Sequence, residues 1–441
     1  MEHQNSKNHE NKESHEKNLN SEKIRIYTYS DLYWEKYWSK IDQAKDHIFL
    51  ITYDFDNKII ANYTLRKLIN ALERGVPVCL IVEHLNFYLN YSLLKEFKKK
   101  GGVVIKPNKL NLIFKHFQHG QLKRFFHRYH QKVTLIDQNL FLGSINIAEE
   151  YSGVKYGSHK FIDINLYIKK TVCFRKVLYF FREILDFEIH QIKSPKKKNK
   201  LYQVFDKNEI KEKMEFPAFL NDQSFEYFLE ELPPKKSEIQ DNLYDLLETA
   251  EESIIIIQAY YTNMERIEEL LIRATKRGVK VTIITAEKRD QVAYKYQYNS
   301  DVFRYLIQNG VEVSEYLDKY LHMKAYYIDK KYLTVGSLNN DTTSFILNGE
   351  ANYLVKRNDH NERVFKDFEN VVVDLKKNCR IVPAYQKRDF FRYLKSNWWN
   401  FFIWCMVKTV PNRDYRYMMS FNYKLKNSTN ELETSFKNLK S

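Results

Sequence analysis

The chain has 441 residues, a length that suits two to three domains and a sizeable core. Apolar residues make up 44% and charged residues 29%, so neither general disorder nor a polytopic membrane protein fits. Lys and Arg number 71 against 56 Asp and Glu, a net charge of +15 that favours an anionic partner. The sign does not choose between phospholipid and nucleic acid, and an AT-rich coding sequence also raises Lys, Asn, Ile and Tyr. Cys79, Cys173, Cys379 and Cys405 are far apart with no Cys-x-x-Cys, which argues against a zinc cluster or redox pair and for a reducing compartment.

Residues 1–22 are rich in Asn, His, Lys, Glu and Ser without an apolar stretch, so the spacing predicts a disordered leader and no signal peptide. No run of about 18 apolar residues follows anywhere, so any membrane association is expected to be peripheral. An amphipathic segment over residues 29–44 leads into the apolar run at 47–53, a helical stretch, and then Arg74-Gly75-Val76-Pro77-Val78-Cys79. The later half repeats this plan, with a helix to Ala250, the run Ser253-Ile-Ile-Ile-Ile257, a helical stretch, and Arg277-Gly278-Val279-Lys280-Val281. In both halves Gly stands where a left-handed helix cap is wanted, before β-branched residues open a buried strand.

Such alternation predicts an α/β chain of two lobes, each with helices packed on a mostly parallel or mixed sheet. The expected boundaries are 23–193 for the first lobe, 194–234 for a linker opening on a solvated turn at Ser194-Pro195, and 235–380 for the second. From Gly102 to His130 is 28 positions, but from Gly310 to His322 only 12. The first lobe therefore carries an insertion, residues 108–129, dense in basic and aromatic side chains.

Each lobe then reaches one polar pattern. The first reads His130-Gln-Lys132-x4-Asp137, then Gly143-Ser144-Ile-Asn146; the second reads His322-Met-Lys324-x4-Asp329, then Gly336-Ser337-Leu-Asn339. In a strand, residues two apart share a face, so each His and Lys point together while the apolar residues after them build a sheet. For a phosphodiester, Lys132 and Lys324 supply positive charge, and Ser144, Asn146, Ser337 and Asn339 supply hydrogen bonds to the phosphate. His130 and His322 attack and protonate from opposite sides. Nothing in the pattern requires a metal or other cofactor. Asp137 and Asp329 close the repeated pattern among the candidate catalytic residues, but at turns after apolar strands they are expected to hold motif geometry rather than move protons. Five residues separate Asp137 from Gly143 and six separate Asp329 from Gly336, a difference expected to shift Ser144 and Asn146 slightly.

This doubled His-x-Lys-x4-Asp resembles the signature of the phospholipase D superfamily, over roughly residues 29–357. The aromatic and basic insertion, and the stretches Asn146-Ile-Ala-Glu-Glu-Tyr151 and Ser344-Phe-x-x-Asn348-x-Glu350, look most like bacterial cardiolipin synthases. The resemblance implies a site at a pseudo-twofold interface between the lobes, and a carboxylate after each motif that orients a histidine; the matching positions are Asp163 and Glu350. It further implies phosphatidyl transfer through a phosphohistidine, with His130 taken as the nucleophile, at the cytoplasmic face of the bacterial inner membrane. Anionic phospholipid and the membrane surface are the expected partners, with no dedicated nucleic-acid module. A monomer is expected because both half-sites are in one chain. Residues 381–441 include Trp398-Trp399-Asn-Phe401-Phe402-Ile-Trp404 interrupted by Lys and Arg, which predicts an interfacial anchor; a helix capping the second lobe is the structural alternative. A phospholipase D-type hydrolase or a metal-independent nuclease is the alternative function, and two intact motifs argue against an inactive scaffold.

Overall fold

The computed structural model describes residues 23–84, 88–107, 128–216, 224–231, 238–262, 264–287 and 300–383. The expected leader, nearly all of the insertion and the aromatic tail lie outside the described residues. The first lobe opens with β1 (Ile24–Tyr27), α1 (Ser30–Gln43), β2 (Ile48–Thr52), α2 (Ile59–Glu73), β3 (Val78–Val82), α3 (Tyr91–Lys99) and β4 (Val103–Ile105). It continues with β5 (Arg128–Tyr129), β6 (Val133–Ile136), β7 (Asn139–Gly143), β8 (Phe161–Ile162), β9 (Asn165–Ile168), α4 (Phe174–Phe187) and α5 (Pro195–Lys207). The second lobe contains β10 (Glu226–Glu231), α6 (Glu238–Thr249), β11 (Ser253–Gln258), α7 (Glu265–Lys276), β12 (Lys280–Ala286), α8 (Ser300–Gln308) and β13 (Glu312–Tyr316). Then follow β14 (Tyr320–Leu321), β15 (Lys324–Ile328), β16 (Tyr332–Gly336), α9 (Thr342–Ile346), β17 (Asn348–Lys356), α10 (Glu362–Lys377) and β18 (Cys379–Ile381).

The two main sheets have one plan. The first runs β1-β9-β7-β6-β2-β3-β4 and the second β10-β17-β16-β15-β11-β12-β13, with β18 added at its edge. In each, the strands joined through helices pair in parallel, β2 with β3 and β3 with β4, then β11 with β12 and β12 with β13. The motif strands run antiparallel, because a two- or three-residue turn joins β6 to β7 and β15 to β16. Each sheet is therefore mixed, with its parallel part confined to the strand–helix–strand half. Gly75 and Gly278 close the preceding helices at φ 91° and 92°, with Val76 and Val279 amides returning to Ala71 and Ala274 carbonyls at 3.1 and 3.0 Å.

β2 and β3 are buried along their whole length, which explains their continuous apolar runs. Their outer face packs on α1–α3, where Trp34, Tyr37, Trp38 and Ile41 form the buried stripe of α1. The outer face of the second sheet packs likewise on α6–α8. The inner faces of both sheets contribute to a third cluster shared by the lobes, with α4, α5 and α10.

The stretch expected to open a linker instead begins a helix. Ser194 caps α5, Pro195 takes the first helical position where no amide donor is needed, and Leu201, Val204 and Phe205 are buried at helical spacing. Residues 226–231, also placed in the linker, are the edge strand β10, paired antiparallel with β17. The lysines around Ser194 hid both the cap and the apolar face three turns along. Among the described residues no helix is long and apolar enough to cross a membrane.

Candidate active site

The two motif histidines, His130 and His322, lie at breaks between strands that belong to different lobes. β5 pairs with β17 of the second lobe, and β6, three residues further on, pairs with β2 of the first. Between them the His130 amide donates to the Gly349 carbonyl at 3.0 Å. The second lobe mirrors this: β14 pairs with β8, β15 with β11, and the His322 amide donates to the Ile162 carbonyl at 2.8 Å. Each histidine is thus stitched by its backbone to the opposite lobe, where the expected regular strand would have kept it in its own.

The carboxylates are exchanged in the same way. His130 Nδ1 lies 2.9 and 3.0 Å from the Glu350 carboxylate oxygens, and His322 Nδ1 lies 2.9 Å from Asp163 Oδ2. Asp163 of the first lobe therefore faces the histidine of the second, and Glu350 the reverse. Holding Nδ1 leaves Nε2 of each ring for chemistry. The Lys132 and Lys324 ammonium groups are buried beside the rings, donating to the His130 and His322 carbonyls at 2.6 and 2.8 Å, and Lys324 Nζ is 3.0 Å from His322 Nε2. Aromatic rings wall the site: Tyr53 meets His130 edge-on at 5.0 Å, Phe161 stacks on His322 at 5.5 Å, and the Tyr151 hydroxyl is 3.4 Å from His322 Nε2.

Ser144 and Ser337 occupy matched places although their motif turns differ by a residue. Ile136 faces Asn139 across the first hairpin and Ile328 faces Tyr332 across the second, so Lys330, at φ 52°, takes up the extra residue inside the turn. The expected shift of Ser144 does not occur. The two hydroxyls donate to Asp163 and Glu350, so their protons are directed at the carboxylates rather than at a phosphate. Asn146 Oδ1 accepts from the Asp54 amide at 3.2 Å, and its Nδ2 donates to the Tyr151 hydroxyl at 2.9 Å. Asn339 is buried, and its Oδ1 has no hydrogen-bond partner among the described residues.

Asp137 and Asp329 sit at the far ends of β6 and β15 from the histidines, at φ 50° and 53°. Asp137 accepts from the amides of Lys45, Asp46 and His47, and Asp329 from those of Glu251, Glu252 and Ser253, at 2.7–3.3 Å. Within the repeated motif they are clamps that tie the motif turn to the loop before β2 or β11.

Several site residues escaped the sequence reading. Asn165 and Asn352 accept from the Ile145 and Leu338 amides at 3.2 and 3.3 Å, bracing the two Gly-Ser-x-Asn loops. Gly143 and Gly336 are required there because a Cβ would overlap those asparagines. The repeated spacing Asp163-x-Asn165 and Glu350-x-Asn352 was the available signal. Glu83, fully buried, accepts from the Tyr129 amide at 3.0 Å and anchors β5 one residue before His130; nothing in its local sequence marks it.

Burial, and then the charges of Lys132 and Lys324, push His130 well below the usual histidine range. Burial and Lys324 lower His322. Burial also drives Lys132 well below the ordinary lysine range and raises Glu350 to about 7, with Lys132 and Ser337 acting against the latter. Asp54, desolvated and close to Asp56 and Glu150, also rises to about 7. Two buried lysines flank the paired imidazoles, an arrangement suited to an anionic diester. Among the described residues no group of three or more His, Cys, Asp or Glu is placed to hold a metal ion.

The family model described as "Cardiolipin synthase, PLD-like domain" matches residues 37–171 and 243–372, the two motif-bearing lobes. Cardiolipin synthase B of Shigella flexneri is 24% identical over 389 residues, covering 86% of this chain and 85% of its own. A cardiolipin synthase of Listeria welshimeri is 25% identical over 366 residues, covering 81% and 70%. The crystal structure of phosphatidylserine synthase from Haemophilus influenzae shares the fold, with a TM-score of 0.66 at 12% identity over 88% of this chain and 95% of that one. With a doubled motif, exchanged carboxylates and a family match over both lobes, the chain belongs to the phospholipase D-like enzymes of the cardiolipin synthase domain family.

Proposed function

We propose that the protein is a phosphatidyltransferase that moves the phosphatidyl group of one phosphatidylglycerol onto the headgroup hydroxyl of another, producing cardiolipin and glycerol. The observation that carries this reading is the pair of buried imidazoles, each backed through Nδ1 by a carboxylate of the opposite lobe. In the first step one imidazole Nε2 attacks phosphorus, the bond to the leaving glycerol oxygen breaks, and the opposite imidazolium gives that oxygen its proton. In the second step the incoming hydroxyl attacks phosphorus, the phosphorus–nitrogen bond breaks, and the alcohol proton passes to the second imidazole. Lys132 and Lys324 stabilise charge on the non-bridging oxygens. The curated relatives named cardiolipin synthase support this donor and acceptor.

Attachment to the membrane is peripheral in this reading, at the cytoplasmic face, through the aromatic tail and the basic insertion. The test is to incubate purified protein with phosphatidylglycerol vesicles in EDTA and analyse the lipids. Cardiolipin with glycerol is the expected product pair, and the chelator leaves the rate unchanged because the lysines supply the positive charge. Phosphatidic acid alone would assign a hydrolase, and DNA cleavage without lipid turnover would assign a nuclease.

A further inference from the structure

The two ladders that stitch the lobes together carry different charge. Beside His322, β8 and β14 pair Phe161 with Tyr320, and each strand is directly preceded by a lysine, Lys160 or Lys319. Lys160 Nζ lies 5.2 Å from the ring centroids of both Phe161 and Tyr320, and Lys319 Nζ lies 3.1 and 3.2 Å from the ring nitrogens of His159. Both lysines are half-buried, so solvent reaches them. Aromatic faces and an imidazole hold an ammonium in place without supplying a countercharge. Among the described residues neither lysine has a carboxylate partner; the carboxylate of Asp318, next in sequence to Lys319, is 3.5 Å from the Tyr316 hydroxyl. His159 itself stands at φ 44°, a left-handed conformation that a residue with a side chain keeps only where its surroundings impose it.

Beside His130 the matching positions carry no such pair. There β5 and β17 pair Arg128 with Asn348 where the other ladder has its two rings. Leu347, three residues before Glu350 as Lys160 is before Asp163, is buried. Arg128 faces the fully buried carboxylate of Glu83 at 4.0 Å. Within the described ladders, the positive charge without a carboxylate partner therefore stands on the His322 side.

One aromatic ring separates these cations from the chemistry. Phe161 stacks on His322 at 5.5 Å and carries the Lys160 ammonium at 5.2 Å, so the lysines stand just beyond the imidazole rather than against it. Lys132 and Lys324 already serve the reacting phosphate. In cardiolipin formation the incoming alcohol brings a second phosphate, joined to its attacking hydroxyl by a three-carbon bridge, and that anion needs positive charge of its own as it leaves water. We infer that Lys160 and Lys319 form a second phosphate site, which holds the phosphodiester of the incoming alcohol while its hydroxyl is presented beside His322. This rests on the phosphatidyl-transfer reading and extends it, because it assigns the acceptor to the His322 side and the proton of its hydroxyl to that ring.

The test is a competition that reads a product ratio rather than a rate. Acyl-labelled phosphatidylglycerol vesicles are given equal concentrations of two soluble alcohols, glycerophosphoglycerol, which carries a phosphodiester, and 1,3-propanediol, which carries none. The two phosphatidyl products are then quantified. Both alcohols meet one phosphorylated intermediate, so the ratio depends neither on the folded fraction nor on how much protein sits on the vesicle. The full chain is expected to favour the phosphodiester alcohol, and Lys160→Gln combined with Lys319→Gln to lower the ratio about tenfold or more. Lys155→Gln removes an exposed lysine a few residues away that is paired with Glu35, and is expected to leave the ratio unchanged. An unchanged ratio in the double variant, an equal fall in Lys155→Gln, or no preference in the full chain overturns the second phosphate site and leaves phosphatidyl transfer standing. If the double variant keeps the ratio but loses vesicle flotation, the two lysines are a membrane contact instead. Failure of the full chain to form either product overturns the transfer reading and the site together.

Discussion

Burial disfavours the protonated form of both histidines, so the exchanged carboxylates matter most for the ring that carries the proton during transfer. Replacing Glu350 by Gln keeps the shape but removes the charge that stabilises the imidazolium of His130. Turnover is expected to fall roughly 10²–10⁴-fold, in kcat more than in KM, on phosphatidylglycerol vesicles. The same substitution has a pH signature. Glu350 is raised from 4.5 to about 7, so between those values the folded chain holds a proton that the unfolded chain has released. Its contribution to stability is fully present below about 4.5 and is lost as pH rises through about 7. Denaturant titrations at pH 5 and pH 8 are expected to show a smaller loss of stability with rising pH in Glu350→Gln than in the unaltered chain.

Among the elements, the motif turns and α5 have roles that activity measurements alone would not separate. Asp329 gathers three consecutive amides and holds the β15–β16 turn against the loop before β11. Asp329→Ala is expected to destabilise the chain by about 1–3 kcal/mol, because three consecutive amides of the loop before β11 lose a charged acceptor. The specific activity of the folded fraction stays within a few-fold, as checked by thermal melting beside an assay normalised to folded protein. In α5, Phe205 is fully buried and stacks on Phe49 of β2 at 5.3 Å. Phe205→Ala is expected to cost about 3–5 kcal/mol, whereas a solvated linker would tolerate it, and a denaturation curve distinguishes the two.

For the whole molecule, the exchange of carboxylates makes the site a property of two lobes held in register. Double-mutant cycles on unfolding free energy are expected to give coupling on the order of 0.5–3 kcal/mol for Asp163 with His322 and for Glu350 with His130. Asp163 with His130 is expected to couple more weakly than either pair; equal coupling would contradict the exchanged geometry. The tail adds a second test at this scale. β18 holds the chain to the edge strand β13 through Ile381, and the Val382 amide donates to the Val313 carbonyl at 2.9 Å. A chain ending after Pro383 keeps that strand and is expected to stay folded but bind anionic vesicles much more weakly in flotation assays. The full chain should retain a salt-resistant part from its aromatic residues and a salt-sensitive part from its Lys and Arg. Aggregation of the shortened chain would instead place the tail in the second lobe's core.

The sequence by itself determined the duplication, the strand–helix–strand halves and the residues His130, Lys132, His322 and Lys324, because hydrophobic period and motif spacing are local properties. It also carried Asp163 and Glu350, by resemblance, as partners of histidines. Only the tertiary structure decided which histidine each carboxylate serves, since Asp163 lies 159 positions from His322 and Glu350 lies 220 from His130. No local spacing encodes that pairing. The same holds for Ser144 and Ser337, whose hydroxyls turn to the carboxylates, and for α5, whose lysine-rich opening reads as a turn until the first sheet supplies the apolar surface that Leu201, Val204 and Phe205 bury against. The parallel and antiparallel halves of each sheet separate for a related reason: the antiparallel course of the motif strands follows from short turns, while the backbone stitching of each histidine to the opposite lobe forms only when the inner faces of both sheets close over one core.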